Sequence, residues 1–365
     1  MPYTKELNAI KKSNLFRQRK LFNSNLIDLA SNDYLGLASK KELFTQAYNL
    51  VLQESYTSPK SSILVNGYSS IHKAFEDKLC EVNGFESGIV VGSGFLANIA
   101  LIESMVRKKD VLFIDEQYHA SGMFASLAVQ GEVIVFKHND YTDLEMKIKL
   151  YSNKRCIIAI EGVYSMGGNI SSKEFYTIAN KYNAILIVDE AHSSGVIGEK
   201  LLGWYDYHNL EIKDNNIKMG TLGKAYGSYG AYILASQHII SYLENRAKPI
   251  IYSTAPSLFD IALGLVSLNY IIKNKESIKE NIKNHQKLVK DILNIEVKSL
   301  ILPIEINDNN KVIKIQNILI ENNFLIGAIR QPTVKKAILR IILKLDISTK
   351  LMLEFTNKLL QIKEF

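Results

Sequence analysis

The chain is poor in cysteine, proline and tryptophan: two, six and one among 365 residues. Cys80 and Cys156 lie far apart and match no metal-ligand or dithiol spacing, which argues against zinc modules, disulfide scaffolds and thiol redox chemistry and fits thiols kept in a reducing compartment. Few prolines, with 47% hydrophobic and 22% charged residues, exclude a disordered or low-complexity chain. No apolar run reaches about eighteen residues, so no membrane-spanning helix is expected. The amino-terminal MPYTKELNAIKKSNLFRQRK has the basic residues of a signal peptide without the apolar stretch that should follow, so a cytoplasmic protein is expected.

Excess charge of one sign is also modest. The formal +7 comes from 44 basic and 37 acidic residues, interleaved in stretches such as KNKESIKENIKNHQKLVK at 273–290. That pattern reads as a solvated helix face, and no nucleic-acid partner is expected. A phosphate loop is missing too. DEAH at 189–192 matches a helicase box, but no G-x-x-x-x-G-K-[ST] precedes it. In GTLGKAYGSYGAY (220–232) the glycine-lysine pair is followed by Ala225, and Lys218 stands where the first glycine belongs.

What the chain does have is strands alternating with helices. GIVV, VLFID, VIVFK, CIIAIEG, AILIVDE and AYILAS are near-continuous apolar runs, as in strands buried on both faces. Helical patterns lie between them at 95–108, 141–152 and 173–183. This is the texture of an α/β domain with a mostly parallel central sheet, whose functional residues gather beyond the carboxyl ends of the strands. From 251 the pattern changes to helices over roughly 258–295, then strands and helices of a smaller α+β domain. The expected division is an arm over 1–40, a large domain over 41–250, and a linking helix with a small C-terminal domain over 251–365.

Polar residues recur where these strands end. Asp189 and His192 follow AILIV, His119 follows VLFID, Ser165 follows CIIAI, and GSG at 92–94 leads from a strand into a helix whose first N–H groups could hold an anion. Each cluster alone is weak and reads more readily as a cap, a packing residue or a turn. Together, an anion nest, a carboxylate, histidines and Lys224 among glycines match the needs of pyridoxal phosphate: an amine for the Schiff base, an acid for the ring nitrogen, an imidazole for the ring face. No metal site is expected.

Nine segments carry a resemblance: SNDYLGL (31–37), NGYSSIHKAFE (66–76), GSGFLAN (92–98), DEQYHASG (115–122), EGVYSMGG (161–168), VDEAHSSGVIG (188–198), GTLGKAYGSYG (220–230), IYSTAPS (251–257) and QPTV (331–334). In this order, over nearly the whole chain, they resemble the α-oxoamine synthase family of fold-type I pyridoxal phosphate enzymes. The resemblance implies a fold-type I PLP-dependent transferase, acting as a C-acyltransferase in a homodimer with shared active sites. SNDYLGL and IYST favour the branch that condenses L-alanine with a pimeloyl thioester, on CoA or an acyl carrier protein, in biotin biosynthesis. The branch joining glycine to acetyl-CoA shares GTLGKA and is the alternative, followed by an aminotransferase of the same fold.

By motif, the resemblance makes Lys224 the Schiff-base lysine, Asp189 the partner of the pyridine nitrogen and His192 that of the ring hydroxyl. His119 would stack on the ring, with Ser165 beside the ring hydroxyl and the acyl group. Gly94 and Phe95 backbone groups with Thr221 would bind phosphate, and Thr254 would reach the phosphate in the other subunit. Arg340 would hold a carboxylate, Asn32 would lie at the substrate mouth, and Arg17 would meet the acyl chain. Two departures from the family affect the entrance. Pro59 and Lys60 stand in TSPKSSILVNGYSSIH where a glycine-rich, arginine-bearing segment is usual, and the arm is too short for the usual β-hairpin.

Overall fold

Continuous apolar runs build the centre of the molecule, a computed structural model that describes residues 2–13 and 15–362. The strands are β1 (Ile27–Leu29), β2 (Ser87–Val91), β3 (Val111–Asp115), β4 (Glu132–Phe136), β5 (Cys156–Glu161), β6 (Ile185–Asp189), β7 (Asn216–Thr221), β8 (Ala231–Ala235), β9 (Ile301–Glu305), β10 (Phe324–Ile329) and β11 (Ile338–Ile342). Seven of them form one sheet in the order β2-β8-β7-β6-β5-β3-β4. Four of its six pairings are parallel.

Successive residues of a strand face opposite sides, and the core divides accordingly. Ile158, Ile160, Leu186, Val188 and Leu234 pack into one apolar layer. Ile157, Ala159, Ile187, Met219 and Ile233 pack into the other. Helix Gly94–Met105 supplies Ala97, Ala100 and Leu101 to the second layer, while helices Ser70–Asn83 and Leu258–Lys273 cover the first. Burial on both faces is why these strands read as unbroken apolar runs.

Two strands depart from that reading. VIVFK was expected to be buried on both faces, yet β4 is the sheet's edge strand and only Phe136 is buried, with Val133 and Val135 exposed. Its Ile134 and Phe136 face packs on the core, while the face of Val133 and Val135 is left uncovered. β8 has the same apolar texture as its neighbours but runs antiparallel to β7 and β2. Residues 222–230 are too few for a crossover helix, so the chain must turn back. That turn is the glycine-rich stretch carrying Lys224.

The smaller sheet has the order β1-β10-β11-β9, with β1 parallel to β10 and the rest antiparallel. The N-terminal segment therefore contributes a strand to the C-terminal sheet, Ile27 pairing with Phe324. Helix Lys275–Leu293 buries Ile278, Ile282, His285 and Val289 at helical spacing, which leaves its lysines on the solvated side. The two sheets are joined by specific bonds: Ser299 Oγ donates to Gly168 O at 2.8 Å, Leu345 N to Tyr34 O at 3.0 Å, and Arg340 Nε to Ser165 O at 2.7 Å.

Candidate active site

The carboxyl ends of the parallel strands meet the β7–β8 turn around one cavity of about 190 Å³. Gly94, Phe95, Asn98, His119, Glu161, Asp189, His192, Thr221 and Lys224 are among its lining residues. Residues that sequence reasoning drew from four separate segments thus come together in one place.

The turn that presents Lys224 is tightly constrained. Leu222 N donates to Gly230 O at 2.9 Å, Ser228 N to Leu222 O at 2.9 Å and Gly227 N to Lys224 O at 3.0 Å. Gly227 has φ +60, and a Cβ there would lie 2.5 Å from Ala38 N, so only glycine lets the turn pass so close to the SNDYLGL segment. The Lys224 amine sits 2.7 Å from His192 Nε2. Burial lowers its pKa from 10.5 to about 8; Asp189 and Glu161 oppose the shift and Arg340 adds to it.

His192 is buried and faces a second partner, the Tyr34 hydroxyl, 2.5 Å from Nδ1. Burial, then the nearby Lys224 and Arg340 charges, hold the imidazole well below its ordinary pKa, in the neutral form. Burial likewise pushes the Tyr34 phenol up to about 12, so it stays a hydroxyl, and it lies 3.5 Å from Asn32 Oδ1. With Nε2 accepting from the amine, Nδ1 carries the proton and donates to Tyr34, which donates onward to Asn32. Asn32 thereby connects to the lysine through two intervening side chains.

Asp189 ends β6. One oxygen accepts from Asn98 Nδ2 at 2.8 Å and the other from Ala191 N at 3.0 Å. Asn98 is itself fixed by Tyr118, whose hydroxyl donates to Asn98 Oδ1 at 2.8 Å, and its amide also reaches Ser121 Oγ at 2.9 Å. Ser121 in turn lies 2.7 Å from His119 Nδ1, so one chain of bonds sets both the carboxylate and the imidazole at the rim. His119 is exposed there, and burial of part of the ring lowers its pKa.

Helix Gly94–Met105 starts at the cavity, and its Ser93 cap accepts from Leu96 N at 3.3 Å. The N–H groups of the first turn have no partner within a helix, and here they open beside Thr221. A Cβ added to Gly94 would lie 3.8 Å from Thr221 Oγ1.

The remaining expected residues, Ser165, Arg340, Arg17 and Thr254, are not among those lining the cavity. Ser165 is buried between two side chains: its N–H donates to Glu161 Oε2 at 3.0 Å, and its carbonyl accepts from Arg340. Arg340 is buried with Nη2 lacking any partner. Arg17 is exposed and reaches Thr333 Oγ1 at 3.4 Å, bringing the arm to the QPTV segment. Thr254 does not line the cavity; it is exposed and bridges to Ser62, so the loop carrying Pro59 and Lys60 packs beside IYSTAPS. Lys60 Nζ lies 3.8 Å over the Tyr56 ring.

Sequence reasoning missed Tyr34, Asn98, Tyr118, Ser121 and Glu161. All five lie inside the motif segments, but what identifies them is a partner distant in sequence.

The profile of the family "Aminotransferase class I and II" matches residues 24–358. The chain is 45% identical over 360 residues to the 8-amino-7-oxononanoate synthase of Helicobacter pylori, covering 98% of this chain and 96% of that protein. It is 36% identical over 368 residues to a putative 8-amino-7-oxononanoate synthase of Aquifex aeolicus, again covering 98% and 96%. Among solved structures, the 8-amino-7-oxononanoate synthase of Francisella tularensis superposes with a TM-score of 0.75 at 27% identity, covering 94% of this chain and 100% of that one. The serine palmitoyltransferase of Sphingomonas wittichii superposes with a TM-score of 0.88 at 22% identity, covering 98% and 96%, and shares the fold.

Proposed function

The chain belongs to the class I and II aminotransferase family, among relatives of the 8-amino-7-oxononanoate synthases, and on that premise we propose that it joins L-alanine to a pimeloyl thioester. The reaction forms a carbon–carbon bond, releases the thiol and carbon dioxide, and yields 8-amino-7-oxononanoate for biotin synthesis. The observation that carries this reading is one cavity holding Lys224, Asp189 and the Gly94 helix start, with Arg340 close enough for its charge to act on Lys224.

The residues fit pyridoxal 5'-phosphate. Lys224 is an amine with a depressed pKa, the open N–H groups of Gly94 and Phe95 with Thr221 suit a phosphate, and Asp189 suits a protonated ring nitrogen. The unpartnered Nη2 of Arg340 fits a carboxylate. Bound there, the cofactor supplies an aldehyde that links to amines and a ring that withdraws electrons from the neighbouring carbon.

The chain's own residues do the rest. Lys224 would hold the cofactor, and its Nζ would be the base that takes the proton from the α-carbon of alanine and returns one. His192 accepts a hydrogen bond from that amine, and Tyr34 and Asn32 fix the tautomer of His192. Arg340, whose Nη2 has no partner, would orient the carboxylate, and His119 at the rim would lie against the ring. Ser165, clamped by Glu161 and Arg340, lines the acyl side, where Arg17 extends from the arm. Exposed Thr254 serves a second subunit, and the exposed, paired rings of Phe95 and Phe124, 6.0 Å apart, support a homodimer that covers the mouth. Both cysteines are free, in agreement with a cytoplasmic setting, and no helix among the described residues is long and apolar enough to cross a membrane.

Thiol release tests the reading. Pimeloyl-CoA and a pimeloyl carrier protein, each offered with alanine, glycine or serine, should release thiol fastest with alanine. Faster release with glycine and acetyl-CoA would move the chain to the glycine-using branch.

A further inference from the structure

Two acids end neighbouring strands in the same register. Glu161 closes β5, Asp189 closes β6, and the two residues are paired across the ladder. Partners on adjacent strands are about 5 Å apart at the backbone, and both side chains line the same cavity. Both are buried, at 1% and 4% exposure, so the two negative charges would repel in a poorly solvated space.

Their hydrogen bonds differ. Both Asp189 oxygens accept N–H donors, whereas Glu161 accepts one, from Ser165 N at 3.0 Å to Oε2. Glu161 Oε1 is buried and has no partner. A bare carboxylate oxygen there would be costly, while a protonated carboxyl would have a donor ready for an occupant. The chemistry ascribed above to Lys224, Asp189 and Arg340 does not use Glu161.

We propose that Glu161 works as a neutral carboxylic acid, accepting the Ser165 N–H with one oxygen and donating a hydrogen bond from the other to an oxygen of the bound cofactor or amino acid. The side chain touches the occupant, fixes Ser165 and leaves Asp189 as the one anion among the residues lining the cavity. Burial and the Asp189 charge push the Glu161 pKa well above the carboxylate range, in agreement with this protonation state. Glu161 would thus be a contact residue of the reaction, and, through Ser165 O and Arg340 Nε, a positioning residue for the guanidinium.

The inference rests on the cofactor reading above, and its test separates the two. Glu161→Gln keeps an acceptor for Ser165 and an N–H donor toward the cavity; Glu161→Ala keeps neither. Pyridoxal phosphate affinity is measured by absorbance titration, and the protonation state by infrared difference spectra of wild-type holoenzyme against E161Q at neutral pH. The expected result is a protonated-carboxyl band present in wild type and missing in E161Q. E161Q should hold the cofactor within about threefold of wild type, and E161A at least about tenfold more weakly. A carboxylate band lost instead, or E161Q as defective as E161A, overturns the proposal. Failure of E161Q to fold overturns it as well, because a neutral isostere must be tolerated where the native group is neutral. Wild type that takes up no pyridoxal phosphate contradicts the cofactor reading instead.

Discussion

The amine of Lys224 lies 2.7 Å from Nε2 of His192, and the other imidazole nitrogen lies 2.5 Å from the Tyr34 hydroxyl. Lysine and histidine sit on different strand-end turns, and the tyrosine comes from the N-terminal segment next to the small domain. The reactive amine is therefore aimed by parts of the chain that meet only when both sheets are in place.

Lys224 should react at lower pH than an ordinary lysine. With a pKa of about 8, about a tenth of the amine is neutral at pH 7, against a few parts in ten thousand at 10.5. The neutral form is the nucleophile, so capture of pyridoxal phosphate by the apoprotein should accelerate as pH rises and level off above about 8. Stopped-flow absorbance measures this. A rate still climbing steeply at pH 10 would place the amine in an ordinary environment.

Asp189→Asn should retain the fold but lose turnover by at least about a hundredfold, since it removes the fixed negative charge that the ring nitrogen needs. An amide also brings a donor toward Asn98 Nδ2 or Ala191 N, which now donate to the carboxylate. Steady-state kinetics alongside circular dichroism separates lost chemistry from lost structure.

Arg340→Lys should raise the KM for alanine by roughly ten- to a hundredfold, because a point charge replaces a planar fork that also bonds Ser165 O. The KM for the thioester should change less. Equal increases in both would mean that Arg340 acts through the packing between the domains.

Tyr34→Phe removes one hydroxyl from a buried chain and leaves the His192 Nδ1 proton without an acceptor. Denaturant unfolding should register a loss of about 1–3 kcal/mol. Turnover should fall further than in Asn32→Ala, since Tyr34 contacts the imidazole directly and Asn32 only through it.

Much of this site was legible in the sequence because parallel strands buried on both faces announce themselves, and polar residues at their ends stand out. Asp189, His192 and His119 were visible in that way, as was Lys224 in a glycine-rich turn. Glu161 was equally visible as a strand-end acid, but its meaning depends on register with Asp189, which strand order alone provides. Tyr34 was hidden for another reason: 158 residues separate it from His192. The exposure of β4 and the reversal of β8 also escaped, since edge position and strand direction leave little mark on an apolar run.

The central claim is decarboxylative joining of alanine to a pimeloyl thioester, and isotopic labelling tests it most directly. Alanine labelled in its carboxyl carbon is incubated with the protein, pyridoxal phosphate and the thioester, and gas and product are read by mass spectrometry. The label should leave as carbon dioxide, matched one to one by released thiol, with an unlabelled amino ketone as product. Label retained in a keto acid, with no thiol released, would make the chain an aminotransferase and contradict the account.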